Sequence, residues 1–167
     1  MLKHVTISIL ALIFFLSPAS SLSQETEEIL LTIQIQTDGN SKNRTIDFTR
    51  ADLMDFPDTT VTTTTIWTDG EQTFTGVQIQ ALLQHLNIQS AQLELVAENE
   101  YSIEVPAADF YEDTAVLAYA RNGEVMTLRE NGPLWLVYDY DSDAKYRTEF
   151  YYLRSIWQLT KIMVKPY

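Results

Sequence analysis

The chain has 167 residues, 46% of them hydrophobic, with 23 acidic against 11 basic side chains and no cysteine. That length holds one domain, and the apolar content excludes a disordered chain. A net charge of −12 gives a surface that repels nucleic acid and anionic lipid, and suits either plain solubility or a basic partner. The missing cysteine excludes disulfides, thiolate metal ligands and a cysteine nucleophile.

Residues 1–23 read as a secretory signal peptide. Lys3 supplies a positive start, Ile7 to Leu16 is an apolar run too short for a comfortable bilayer span, and Pro18 breaks it. Ala19, Ser21 and Ser23 offer small residues for cleavage. An uncleaved N-terminal anchor is the alternative, and a lipoprotein anchor has no Cys to carry it. No later run is long enough to span a membrane. The expected location is periplasmic or secreted, with residues 24–167 forming a single, monomeric domain.

The polar stretch Gln24 to Glu28 leads into Ile29 to Gln36. Here Leu31, Ile33 and Ile35 alternate with Thr32, Gln34 and Gln36, the pattern of a half-buried strand. Asp38-Gly39-Asn40 marks a turn. Asn43-Arg44-Thr45 fits a glycosylation sequon, a three-residue match of low specificity. Ile46 and Phe48 begin a second strand. Thr49 and Asp52 resemble a capping box for a short helix, about Arg50 to Asp55, that stops before Pro57.

Thr59 to Thr68 is β-branched almost throughout and predicts a strand ending at an Asp69-Gly70 turn. Gly76 to Asn87 predicts a helix, its apolar stripe being Val77, Ile79, Leu82, Leu83 and Leu86. His85 lies on it as a surface or edge residue. Leu93 to Ala97 and Tyr101 to Val105 read as strands. Pro106 opens a short helix, Ala107 to Glu112. Ala115 to Ala120 reads as a strand turned by Asn122-Gly123 into Val125 to Leu128. Gly132-Pro133 turns the chain into a strand over Leu134 to Tyr138. Tyr140 to Thr148 is a polar loop, Phe150 to Gln158 is a short helix or extended, and Leu159 to Val164 closes the sheet. Many short strands with a few short helices predict an α+β fold with a β-rich, mixed or barrel-like sheet.

Most catalytic chemistry is missing from the sequence. There is no phosphate-cradling glycine loop, no paired His or Cys at zinc spacing, and no nucleophile elbow around a serine. Asp139, Asp141 and Asp143 have the spacing that starts a calcium loop, but Ala144 and Lys145 stand where its glycine belongs, so a solvated loop is the simpler reading. The dense aromatics Tyr138, Tyr140, Tyr146, Phe150, Tyr151, Tyr152 and Trp157 form either the rim of a small core or the lining of a ligand or partner surface.

Three segments together resemble the molybdopterin-binding domain of sulfite-oxidase-like oxidoreductases. They are Phe74-Thr75-Gly76-Val77 with Ala81-Leu82-Leu83; Glu100 to Pro106 with Val116 to Tyr119 and Asn122-Gly123-Glu124; and Asn131 to Val137 with Ile156 to Leu159 and Ile162 to Val164. The resemblance runs from about Ile29 to the C-terminus and is closest to the short, exported, single-domain members. It implies molybdopterin as a possible cofactor, with a Cys thiolate on the metal. The segment where that Cys is expected is Val61 to Trp67, with Thr62 to Thr65 around the place itself. A Thr hydroxyl, protonated at neutral pH, is no substitute for a soft thiolate. Asn131 matches the family's Asn, Trp135 stands where an Arg meets the cofactor phosphate, and Arg154 is the nearby cation left to compensate.

The resemblance therefore implies cleft residues Asn131, Arg154 and Thr64, with no catalytic residue and no metal ligand. It also implies a ligand or partner surface of Trp135, Tyr138, Tyr140, Tyr146, Tyr151, Tyr152 and Trp157. The favoured expectation is an exported module without molybdenum chemistry that binds a small ligand or an exported or membrane protein. The alternatives are a periplasmic molybdopterin-dependent oxidoreductase with a non-Cys metal site, and an unrelated exported β-rich binding domain.

Overall fold

The computed structural model describes residues 28–37 and 42–166. The expected signal peptide and the Asp38-Gly39-Asn40 turn lie outside them. Among the described residues, no helix is long and apolar enough to cross a membrane.

Among the described residues, ten strands form two sheets. The first is mixed, in the order β2 (Arg44–Thr49), β1 (Ile29–Ile35), β10 (Leu159–Lys165), β5 (Gln92–Ala97), β6 (Ser102–Pro106). Its one parallel pair joins the first and last strands, with Thr32 opposite Lys161 and Ile35 opposite Val164. The second sheet is antiparallel, running β3 (Asp58–Thr64), β4 (Glu71–Gln78), β7 (Ala115–Arg121), β8 (Glu124–Val125). Strand β9 (Trp135–Tyr138) pairs with β7 over Ala115–Ala118. The expected β-rich α+β fold is present.

Alternation explains why β7 is apolar nearly throughout. Leu117 and Tyr119 face the main core, shared with Leu31, Ile33, Leu95 and Ile162 of the first sheet. Val116 and Ala118 face a second cluster with Phe74, Met126, Trp135 and Val137. A strand buried on both faces loses the polar half of its pattern.

Local signals hold where the chemistry is backbone chemistry. The Thr49–Asp52 capping box forms and opens α1 (Arg50–Met54). Asn122 and Gly123 both take positive φ in the β7–β8 turn. The turn before β9 contains a cis Gly132–Pro133 peptide, and Gly132 packs so near Met126 that a Cβ would overlap its backbone.

Two predicted elements are corrected. The strand expected over Thr59 to Thr68 stops at Thr64, because Thr65 turns the chain. The Thr65 hydroxyl accepts from the Trp67 amide at 3.0 Å and meets the Thr68 hydroxyl at 2.8 Å. The helix expected from Gly76 begins only at Ile79, as α2 (Ile79–His85). Gly76 and Val77 are still in β4, where Gly76 pairs with Ala118 of β7. Gly76 serves close strand packing: a Cβ there would lie 2.6 Å from the Ala118 Cα and overlap the Leu117 carbonyl oxygen.

The two sheets are joined by the segment after α4 (Glu149–Arg154). The Ile156 carbonyl accepts from the Leu136 amide at 2.9 Å, and the Leu159 amide donates to the Leu134 carbonyl at 3.1 Å. The Gln158 carbonyl accepts from the Glu98 amide at 2.9 Å. Ile156–Leu159 thus lies along β9 on one side, reaches the end of β5, and passes into β10. The left-handed φ of 53° at Gln158 makes the bend.

Gly76→Ala is expected to destabilise the protein by about 3 kcal/mol, since a central strand must shift to admit the methyl. Urea unfolding measures this, and an exposed control, Gln84→Ala on α2, should change stability little.

Candidate functional site

The Thr65–Thr68 turn places its two central residues oppositely. Ile66 is turned outward, 62% exposed. Trp67 is turned inward, with Trp135, Tyr140, Tyr152 and Trp157 around it at centroid distances of 5.8, 6.2, 5.6 and 5.7 Å, all edge-on. Edge-to-face contacts of this kind stabilise beyond their buried area.

Trp67 stands at one wall of a cleft of about 670 Å³. Tyr152 and Leu153 of α4, Ile156 and Trp157 of the crossing segment, and Ala97, Asn99 and Tyr101 from the β5–β6 turn complete most of the lining. Leu153 and Tyr101 are 49% and 44% exposed at its rim. The Tyr101 hydroxyl donates to the Leu153 carbonyl at 3.3 Å, and the Asn99 side chain accepts from the Tyr101 amide at 3.1 Å. Glu149 and Ser155 are the other polar residues of the lining. Ser155 is buried, accepts from the Tyr140 hydroxyl at 2.6 Å, and donates to the Tyr151 carbonyl at 2.8 Å. With both roles used, its hydroxyl is a structural bridge.

Of the seven aromatics expected as a ligand or partner surface, Tyr152 and Trp157 do line the cleft. The other five, Trp135, Tyr138, Tyr140, Tyr146 and Tyr151, are buried, and their surface assignment is corrected. The polar tips of Trp135, Tyr140, Tyr146 and Tyr151 have internal partners. The Trp135 indole N–H donates to the Ser155 carbonyl at 3.3 Å. Tyr138 stacks on Tyr146 at 5.7 Å and meets Tyr151 edge-on at 5.0 Å. Burial pushes the Tyr138 and Tyr140 hydroxyls well above the usual phenol range.

Asp113 holds this group together. Its carboxylate accepts from Lys145 Nζ and the Tyr151 hydroxyl, both at 2.6 Å, and from the Tyr146 hydroxyl at 3.3 Å. Burial raises the Asp113 pKa, but the hydrogen bonds from Lys145, Tyr151 and Tyr146 outweigh it and hold the carboxyl below its ordinary range. Tyr151 is pushed up to about 12 by burial and by its bond to Asp113.

The residues expected at a cofactor site do not converge on the cleft. Thr64 donates its amide and hydroxyl to the Asp141 carboxylate. Arg154 pairs with Asp109 at 2.8 Å and lies over the Phe150 ring at 3.7 Å. Asn131 takes the left-handed cap position after the 3-10 turn Leu128–Glu130, and its carbonyl accepts from the Gln158 amide at 3.2 Å. None of the three is among the cleft-lining residues.

The three acids at calcium-loop spacing are engaged by protein donors, two within the loop and one from β3. Asp139 accepts from the Ser142 amide, Asp141 from Thr64, and Asp143 from the Lys145 amide. Among the described residues there is no cluster of three or more His, Asp or Glu able to hold a metal ion. His85 is exposed and packs edge-on against Phe56 at 5.2 Å. Of the cleft lining, only Tyr152 and Trp157 were expected from the sequence; Trp67, Tyr101, Glu149 and Leu153 were among those missed. They come from separated segments, and no short motif connects them.

The fold is thus two β-sheets that share a core, with the cleft where the segment after α4 passes between them. The oxidoreductase molybdopterin binding domain family matches residues 23–140, and the chain belongs to it. Among solved structures it is similar to the sulfane dehydrogenase SoxCD from Paracoccus pantotrophus, with a TM-score of 0.56 at 17% identity. The match covers 82% of this chain and 38% of that one, so this chain spans well under half of its length. At that identity the likeness speaks for the sulfite-oxidase-like fold. No curated protein matches the chain.

The residues present do not fit the family's cofactor. All four Thr hydroxyls at the expected metal-ligand position have partners: Thr62 with Thr73 at 3.1 Å, Thr63 with the Asp141 amide at 3.1 Å, Thr64 with Asp141, and Thr65 with Thr68. Among the described residues no Lys or Arg lines the cleft, and Glu149 does. A phosphorylated pterin placed in this cleft would meet a carboxylate and no lining cation.

Asp113→Asn is expected to cost about 2 kcal/mol near neutral pH, the scale of lost hydrogen bonds to a charged group. The folded carboxyl has a depressed pKa, so its contribution is complete above the unfolded value of about 3.9 and fades as pH falls through the folded value. Urea midpoints of the two proteins should therefore converge as pH drops below about 4.

Proposed function

We propose that this chain is an exported, non-catalytic member of its family, and that the cleft beside Trp67 binds a ligand in place of the molybdenum cofactor. The observation that carries the reading is the cleft's composition. It is walled by aromatic and aliphatic side chains, as small-molecule sites are. The groups that a metal-pterin needs are absent from it or tied down elsewhere. Export is inferred from Lys3, the Ile7 to Leu16 apolar run and the small residues after Pro18.

Fold membership does not carry the reaction with it, because chemistry resides in the side chains of the site. A thiolate binds molybdenum as a soft, deprotonated ligand. The Thr62 to Thr65 hydroxyls are protonated and already hydrogen-bonded. Arg154 is neutralised by Asp109. The reading makes the cleft a recognition surface, with Trp67 and Trp157 as its anchors.

The protein purified from a host that makes the molybdenum cofactor is expected to hold no stoichiometric molybdenum or pterin, by elemental analysis and by fluorescence of the oxidised pterin. Installing a thiolate with Thr64→Cys should leave it unloaded, since Arg154, the cation the family pattern leaves to meet the phosphate, stays paired with Asp109. Stoichiometric molybdenum in the unaltered chain would establish the competing reading, an oxidoreductase with a non-Cys metal site.

A further inference from the structure

We propose that the cleft selects an organic cation with an apolar body, such as an arylalkyl- or alkyl-ammonium compound. This rests on the cleft being the working site and adds the chemical class of its ligand. Three features carry it. First, Trp67, Tyr152 and Trp157 line the cleft together with Ile66, Leu153 and Ile156, enough apolar surface for a small organic molecule in about 670 Å³. Aromatic rings with a nearby carboxylate attract ammonium groups through their quadrupoles as well as through charge.

Second, Glu149 is in the lining, and its side chain forms no hydrogen bond or ion pair among the described residues. Acids nearby in the chain and the fold are engaged: Asp109 with Arg154, Asp113 with Lys145, and Asp141 with Thr64. Glu149 thus keeps a charge available at the site. Third, no Lys or Arg lines the cleft, and the one Arg of α4 is held by Asp109 and Phe150. The net charge of −12 adds long-range attraction for a cation.

The three features discriminate by ligand charge. An anion would meet Glu149 unscreened by any lining cation. A neutral apolar ligand would gain the aromatic walls but nothing from the exposed Glu149. A cation satisfies the carboxylate and the aromatic walls together.

Tryptophan-fluorescence titrations of the full chain with phenylpropyl-trimethylammonium, phenylpropanol and phenylpropanoate test this. The ammonium compound is expected to bind about tenfold more tightly than the alcohol, and the carboxylate most weakly. Glu149→Gln, at an exposed position, should remove most of the preference for the cation while leaving alcohol binding unchanged. Equal affinity for the ammonium compound and the alcohol, or tightest binding of the carboxylate, overturns the cation assignment but leaves a ligand-binding cleft. A cation preference that survives Glu149→Gln overturns the role of that carboxylate. Failure of all three to bind overturns both the cation assignment and the ligand-binding reading.

Discussion

The structure depends on the backbone hydrogen bonds that hold Ile156–Leu159 against β9. Sheets normally end at their edges. Here the chain leaves α4, runs beside the buried strand Trp135–Tyr138, donates and accepts at Leu134 and Leu136, and then enters the first sheet as β10. Buried backbone groups must be paired, so this short segment can cross between sheets only because β9 on one side and Glu98 on the other satisfy it. The crossing puts Ser155, Ile156 and Trp157 into the wall of a cleft that neither sheet could make alone.

The aromatic residues around that crossing divide into two populations. Trp135, Tyr138, Tyr140, Tyr146 and Tyr151 are core, and the polar tips of all but Tyr138 are used within the protein by Ser155 and Asp113. Trp67, Tyr152 and Trp157 are half-buried, packed on the first group and open to the cleft. The first population makes the second rigid. Trp67 touches members of both, so the position of the cleft wall is set by the core behind it. A rigid aromatic wall loses little freedom when a ligand arrives.

What the sequence revealed and what it hid follow from how far each signal reaches. Alternation in Leu31-Thr32-Ile33 and the Thr49–Asp52 capping box are local, and both elements form as read. The helix start at Gly76 failed because an apolar stripe says nothing about close strand packing, and Gly76 is required by the backbone of Leu117 and Ala118, some forty positions away. The Thr-rich strand ended early through hydroxyl bonds from Thr65, which composition alone does not show. The tyrosines of 138–152 read equally well as core or surface, because a Tyr satisfies either once its hydroxyl finds a partner. That partner, Asp113, lies in a different element. Glu149 and Tyr101 enter the cleft only through the tertiary fold, whereas the absence of a thiolate ligand could be read directly from the sequence.

The cleft walled by Trp67 and Trp157 is the place where this domain is proposed to meet its ligand. The most direct test follows the three indole N–H resonances by two-dimensional NMR as phenylpropyl-trimethylammonium is added. The Trp67 and Trp157 signals should move progressively and saturate together, while Trp135, whose N–H is held by Ser155 inside the core, moves less. Indole signals that stay fixed, while backbone amides near Thr64 and Asn131 shift instead, would contradict the account and return the site to the cofactor position of the family.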